Sequence, residues 1–211
     1  MLNRGRGTAT VDSMPDESPS GFLRLFIAIA VPPDVRREIA RAQGQLQRVA
    51  PLGVLRWTRP DQFHVTLKFL GDVPATQLDA LKAAVAEVCA DCPALALTAK
   101  GIGFFPGVHR PRVLWASAGD DCGRLAELHR QLHAVMQPFA PEEKPERFAG
   151  HITLGRFKPG RHASLKKLTE RATMLRDCEF GAWTAGQVEI IRSELTSAGA
   201  HHTSLAACPL R

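Results

Sequence analysis

The chain has 211 residues, of which 45% are apolar and 23% charged. That balance suits one soluble globular unit and excludes a wholly disordered or fibrous chain. The net charge of +6 favours an anionic partner, and no apolar run reaches the length of a membrane span, so no membrane association is expected. Arginine supplies 20 of the 27 positive charges, and its planar fork suits phosphate. Five cysteines are an odd number for a disulfide framework. They point to a reducing compartment, so a cytoplasmic location is expected. Cys89-x-x-Cys92 has no second pair beside it and reads as buried or helix-end packing.

Residues 1–21 are rich in Gly, Ser, Pro and Asp, have no apolar stretch of signal-peptide type, and are expected to form a disordered tail. Residues 22–211 then read as one domain. Arg24–Val31 is predicted as a buried strand. Pro32-Pro33-Asp34 opens a helix with Val35, Ile39, Leu46 and Val49 on one stripe. Leu55–Trp57 is a short extended piece, and Arg59-Pro60-Asp61 turns the chain into a strand from Phe63, which Gly71-Asp72-Val73-Pro74 stops. Leu78, Leu81, Val85 and Val88 mark a second helix. Leu95–Ala99 and Pro111–Ser117 are predicted strands. Asp120 or Asp121 caps a third helix with Leu125, Leu128, Leu132 and Val135 inward. A polar connection from Pro138 to Arg147 leads to another strand at Phe148–Arg156. A short basic helix from Ser164 and strands at 180–183, 187–195 and 203–207 complete the chain.

The motif that carries chemistry occurs twice. Phe63-His64-Val65-Thr66-Leu67 returns as Gly150-His151-Ile152-Thr153-Leu154, 87 residues later. On a strand alternate side chains share a face. His64 and Thr66 therefore point one way while Val65 and Leu67 point to a core, and His151 and Thr153 repeat this. An imidazole titrates near neutrality, so one histidine can act as a base while the other acts as an acid. That pairing suits displacement at phosphorus, with the Thr hydroxyls donating to phosphoryl oxygens. The residues alone do not say which histidine plays which part. The doubled frame predicts an α+β fold of two lobes whose sheets face one another across a cleft.

These motifs resemble the two-histidine phosphoesterase superfamily, and within it the RNA 2′,3′-cyclic phosphodiesterases also known as the 2′-5′ RNA ligase family. The likeness runs from about residue 22 to the end. It includes Arg24–Ile29, Trp57, Phe63–Gly71, Phe104-Phe105-Pro106, Pro111–Trp115, His151–Arg156 and Ser193-Glu194-Leu195. The resemblance implies a bilobal fold with antiparallel sheets lining a central cleft and helices outside. It implies hydrolysis of a terminal 2′,3′-cyclic phosphate on RNA to a 2′-phosphate, without a cofactor or metal. It assigns His64 as the proton donor to the departing 3′ oxygen and His151 as the base on water, with Thr66 and Thr153 holding the phosphate. Two departures stand out: Gly150 replaces a usual Pro, which predicts a looser approach into the strand, and His202 takes the place of a Tyr that would stack on substrate.

Arg112 and Arg156 are further phosphate-binding candidates, although strict alternation puts Arg156 off the His-x-Thr face unless a bulge intervenes. Phe104, Phe105 and Trp115 are expected mainly in the core. His109, His129, His133 and His162 have no repeated frame and are expected at the surface. The expected partner is RNA or a nucleotide with a cyclic phosphate end, acted on by a monomer. Two alternatives stay open: the same chemistry on a small cyclic nucleotide, or an RNA-binding module without catalysis.

Overall fold

A computed structural model of the chain describes residues 21–140, 148–160, 164–196 and 199–211. The expected tail, all but Gly21 of it, lies outside the described residues, as do most of the 138–147 connection and His162. The elements are β1 (Phe22–Ala30), α1 (Pro33–Val49), β2 (Leu55–Trp57), β3 (His64–Pro74), α2 (Leu78–Asp91), β4 (Leu95–Phe105), β5 (Val113–Gly119), α3 (Arg124–Val135), β6 (His151–Phe157), α4 (Lys166–Met174), β7 (Glu179–Ala185), β8 (Gln187–Thr196) and β9 (Gly199–Pro209).

The strands form a single curled antiparallel sheet in the order β7-β4-β5-β6-β3-β1-β8-β9, with β2 added on β6. Each half of this order is one lobe, with β6 and β3 at the centre. The halves meet at one ladder pair, Val65 opposite Ile152, so the two expected sheets are continuous through a narrow seam. Both seam residues are fully buried. Along β1, Leu23, Leu25, Ile27 and Ile29 enter the main core under the helices. Phe26 and Ala28 point the other way and form a small separate cluster with Ile191 of β8. That period-two split gives the sheet one face for the core and one for the cleft. The helices cover the core face. Their inward stripes are Val35, Ile39, Ala42, Gln43 and Leu46 on α1, Leu81, Val85 and Cys89 on α2, and Leu125, Leu128 and Leu132 on α3. The Asp120 carboxylate accepts the backbone N–H of Arg124 and of Leu125, at 2.7 and 3.1 Å, and so caps α3.

Both central strands carry a bulge at the same place in the repeated motif. In β3, Thr66 pairs with Ala28 and Lys68 with Ile27, which leaves Leu67 as the extra residue. In β6, Thr153 pairs with Trp115 and Gly155 with Leu114, which leaves Leu154 extra. Two consecutive buried residues follow in each case, Leu67-Lys68 and Leu154-Gly155. The alternation is thereby shifted by one, and Phe69 and Arg156 return to the cleft face. A second bulge, at Leu70, explains why β3 does not stop at Gly71 as expected. Gly71 takes a left-handed φ of 68°, and the strand runs on to Pro74.

Gly150 is the residue where a looser approach into β6 was expected, and the packing there is tight. A Cβ on Gly150 would sit 2.2 Å from the Ala118 carbonyl oxygen and 2.9 Å from Leu125 Cδ2. The Gly150 carbonyl accepts the Ala118 N–H at 3.0 Å. Only a residue without a side chain lets the chain lie this close to the corner between β5 and α3. Gly150→Ala should therefore lower stability by about 1–3 kcal/mol, as overpacking does. Thermal denaturation should show this as a fall of several degrees, and an unchanged midpoint would mean that the corner yields freely.

Candidate active site

The seam brings the two motifs together. If the antiparallel register at Val65 and Ile152 is continued by one residue each way, His64 stands level with Thr153 and Thr66 with His151. Each lobe therefore gives a histidine to one diagonal and a threonine to the other, about an approximate twofold through the seam pair. All four side chains are half-buried, while Val65, Leu67, Ile152 and Leu154 are buried beneath them.

Each imidazole is held in the same way. His64 Nδ1 lies 2.7 Å from the Gln62 carbonyl oxygen, and His151 Nδ1 lies 2.8 Å from that of Ala149. A carbonyl only accepts, so Nδ1 of each ring carries the hydrogen and Nε2 is left as the titrating nitrogen. Aromatic rings back both: Phe26 is 4.9 Å from His64 between ring centres. Phe105 meets His151 edge-on at 5.0 Å, with Trp115 behind it at 4.8 Å. Phe104 is in the core as expected; Phe105 and Trp115 instead support the histidine. Trp115 owes this position to Gly103, where a Cβ would fall 2.2 Å from its indole ring.

The surroundings disfavour charge on these rings. His64 is pushed down to about 4, chiefly by burial and further by the positive fields of His202, His151 and Arg156, against the opposing bond to the Gln62 carbonyl. His151 is lowered for the same leading reason, with Arg156 adding to it. Both are therefore neutral near pH 7 in the unliganded protein. An anion in the cleft offsets the repulsion and raises both.

A cavity of about 540 Å³ opens beside the seam. Its lining contains His64, Thr66, Thr153, Arg156 and His202, five of the seven residues singled out from sequence. His151 joins the group through the seam register and not as part of that lining. The bulge at Leu154 resolves the problem of Arg156. Arg112 lies apart: its side chain is exposed and outside the lining, and its backbone ties β4 to β6 through bonds with Phe105 and Phe157. His202 stands in β9 opposite Ser193, with its ring 5.6 Å from His64 and 5.0 Å from Phe26, both edge-on. Its own pKa is lowered, first by burial. Of the other histidines, His109 is exposed, and His129 stacks on Phe148 at 4.1 Å.

Several residues of the site had escaped sequence reading. Arg24, Arg56, Arg59, Trp57 and Phe69 also line the cavity. Gln62 links two elements: its backbone carbonyl holds His64, and its Nε2 donates to the Ala200 carbonyl of β9 at 2.5 Å. Gln43 is 3% exposed on α1. Its Nε2 donates to the carbonyls of Thr58 and Leu154, at 2.8 and 2.9 Å, and so pins the bulge that turns Arg156. One signal for Gln43 was available: it lies four residues after Ile39 and three before Leu46, a polar residue on an inward stripe. Among the described residues no three His, Cys, Asp or Glu side chains converge as a metal site requires, and no helix is long and apolar enough to cross a membrane.

The model of the LigT like Phosphoesterase family matches residues 29–115. An RNA 2′,3′-cyclic phosphodiesterase of Thermus thermophilus is 32% identical over 200 residues, which is 90% of this chain and 91% of that protein. One from Methanothermobacter thermautotrophicus is 29% identical over 185 residues, 87% of this chain and 96% of that protein. The crystal structure of TT0787, also from Thermus thermophilus, superposes with a TM-score of 0.72 at 28% identity, covering 90% of this chain and 98% of that one. Escherichia coli LigT complexed with 3′-AMP shares the fold, with a TM-score of 0.70 at 22% identity and the same coverage.

The depressed pKa of His64 has a consequence for stability. Between about 4 and 6.5 the unfolded chain binds a proton at this residue and the folded protein does not, so stability falls as pH falls through that window. His64→Gln should flatten this part of the profile in denaturant titrations at a series of pH values. An equally steep profile in the variant would show that His64 is not held neutral by the fold.

Proposed function

This chain belongs to the LigT-like phosphoesterase family, and we propose that it opens RNA 2′,3′-cyclic phosphates through acid–base catalysis by His64 and His151. The observation that carries this reading is the quartet of His64, Thr66, His151 and Thr153 at the seam. Both imidazoles there have Nδ1 occupied and Nε2 left to titrate, beside an Arg-lined cavity. The enzyme is an RNA 2′,3′-cyclic phosphodiesterase, a hydrolase.

In the proposed reaction His151 Nε2 takes a proton from water as the oxygen attacks phosphorus. The P–O3′ bond breaks, and His64 delivers its Nε2 proton to the departing O3′. One water is consumed and a 2′-phosphomonoester remains. Thr66 and Thr153 donate to the non-bridging oxygens, which gain charge in the transition state. Arg156, turned inward by the Leu154 bulge, supplies a fixed positive charge beside them. The anionic phosphodiester is also what lets His64 hold the proton it must donate. His202 faces the substrate from β9 and offers an imidazole surface in place of a phenol. Arg112, outside the cavity lining, has no part in this scheme. The four side chains of the scheme all come from one chain, so the reaction as written needs no second subunit. The unpaired state of the five cysteines supports a reducing, cytoplasmic location.

Incubation with an oligoribonucleotide ending in a 2′,3′-cyclic phosphate, with chelator present, should give the 2′-phosphate; no ring opening would overturn the reading. His64→Ala and His151→Ala should each lower kcat by roughly 10²-fold or more, and the double variant should be little worse than the poorer single one. A nitrophenyl phosphodiester, whose leaving group needs no proton, should largely rescue His64→Ala and not His151→Ala. Rescue of His151→Ala instead would reverse the two roles.

The rate should also be bell-shaped in pH, because one histidine must be protonated and the other neutral. Both are lowered in the free protein, so kcat/KM, which reports the free enzyme, should peak below pH 6.5. The kcat profile should lie to its alkaline side, since bound phosphate raises both groups. Coincident profiles would show that substrate leaves the histidines unperturbed.

A further inference from the structure

The cavity is too cationic for the one charge of a cyclic phosphodiester. Among the described residues four arginines line it, Arg24, Arg56, Arg59 and Arg156, and no Asp or Glu does. Arg59 is matched by Asp61 at 3.1 Å, outside the lining. Arg24, Arg56 and Arg156 have no carboxylate within ion-pair distance among the described residues.

Two of these are set against each other. Arg56 of β2 is the direct cross-strand partner of Arg156 of β6. Like charges directly opposite in a ladder are destabilising, and burial together with Arg56 lowers the Arg156 pKa. The repulsion is relieved when an anion lies between the two forks. Arg156 also acts on His64 and His151, so it faces the reacting phosphate. Arg56, on the neighbouring strand, lines the cavity directly beside Arg156. Arg24 is displaced in the opposite sense, toward the far end of β3, where Asp72 is its cross-strand partner. Arg24 lies on β1 four residues before Ala28, the partner of Thr66, and so about 13 Å away along the strand. Arg56 and Arg156 thus form a pair at one end of the cleft, apart from Arg24 at the other end.

From this arrangement we infer a second phosphate subsite, formed by Arg56 with Arg156, so that the preferred substrate carries at least one phosphate beyond its cyclic one. The inference rests on the hydrolase reading above and narrows it. The second phosphate is either the adjoining internucleotide phosphate of an RNA strand or the 5′-phosphate of a single nucleotide. Both present the same anion to a guanidinium pair.

Three substrates test this: a nucleoside 2′,3′-cyclic phosphate, the same compound with a 5′-phosphate, and a dinucleotide ending in the cyclic phosphate. The expected result is a kcat/KM at least roughly tenfold higher for one or both of the two-phosphate substrates, in keeping with a charge-assisted bidentate contact. Arg56→Gln should shrink that advantage, with folding checked by circular dichroism and thermal midpoint. The slope of log kcat/KM against log salt should be steeper by about 0.7 for the extra phosphate, and this increment should be lost in Arg56→Gln. A larger gain for the dinucleotide assigns the subsite to RNA; a larger gain for the 5′-phosphate assigns it to a nucleotide. Equal rates for all three substrates, or a uniform loss in Arg56→Gln, would overturn the subsite and leave the hydrolase reading intact. Absence of turnover with every substrate would instead count against the hydrolase reading. In that event the subsite is settled by calorimetric binding of a nucleoside 2′-phosphate against a dinucleotide 2′-phosphate. Tighter binding of the second, lost in Arg56→Gln, upholds it, and equal binding refutes it.

Discussion

One backbone pairing, Val65 against Ile152, holds the two halves of the sheet in a common frame. The four side chains of the proposed quartet, His64, Thr66, His151 and Thr153, are its immediate neighbours in sequence. Their relative placement is therefore a property of strand register, the most rigid reference the chain has, and does not depend on loops. Burial enforces the register: Val65 and Ile152 are fully excluded from solvent, and a slip of one residue would send both into the cleft and both histidines into the core. The carbonyls of Gln62 and Ala149 then fix each ring's tautomer, so position and protonation state derive from the same short stretches.

The surroundings of the quartet work by excluding charge until substrate supplies the opposite sign. Burial is the leading cause of the lowered pKa in His64, His151 and His202 alike, and arginines of the wall add to it, Arg156 in the first two and Arg59 in the third. The free protein keeps these histidines neutral beside guanidinium groups of which, among the described residues of the lining, only Arg59 has a carboxylate partner. The same arrangement strengthens every contact to an incoming phosphate, because the local dielectric is low and each donor is already in place.

Much of this was legible in sequence because the chemistry sits on regular strands. Period-two alternation gave the faces of His64, Thr66, His151 and Thr153, and helix periodicity gave the inward stripes of α1, α2 and α3. What alternation cannot give is the point where it breaks. The bulges at Leu67, Leu154 and Leu70 depend on how neighbouring strands pair, and they decide that Arg156 joins the site and that β3 continues past Gly71. The Arg56–Arg156 juxtaposition is likewise invisible, since 100 residues separate the two in the chain. Gly150 was misread as loose because a missing side chain suggests freedom. Here it marks close packing against Ala118, and only the three-dimensional neighbour distinguishes these cases. Arg112 shares a matched motif with core residues, yet it sits just before β5 with its side chain exposed.

The near-twofold of the quartet carries a consequence for regiochemistry. A perfectly symmetric pair of His-x-Thr strands would present the same face to O2′ and to O3′ of a cyclic phosphate, and would have no means of preferring one product isomer. Any preference must originate where the halves differ. Along the strands the first differences on the cleft face come after the bulges, where β3 places the apolar ring of Phe69 and β6 the cation Arg156. A ring of carbon on one side and a guanidinium on the other gives the cleft an electrical polarity. With the phosphate held as proposed, this polarity favours the charged oxygens on the β6 side and the ribose on the β3 side, and His202, which stands beside His64 alone, adds to the asymmetry.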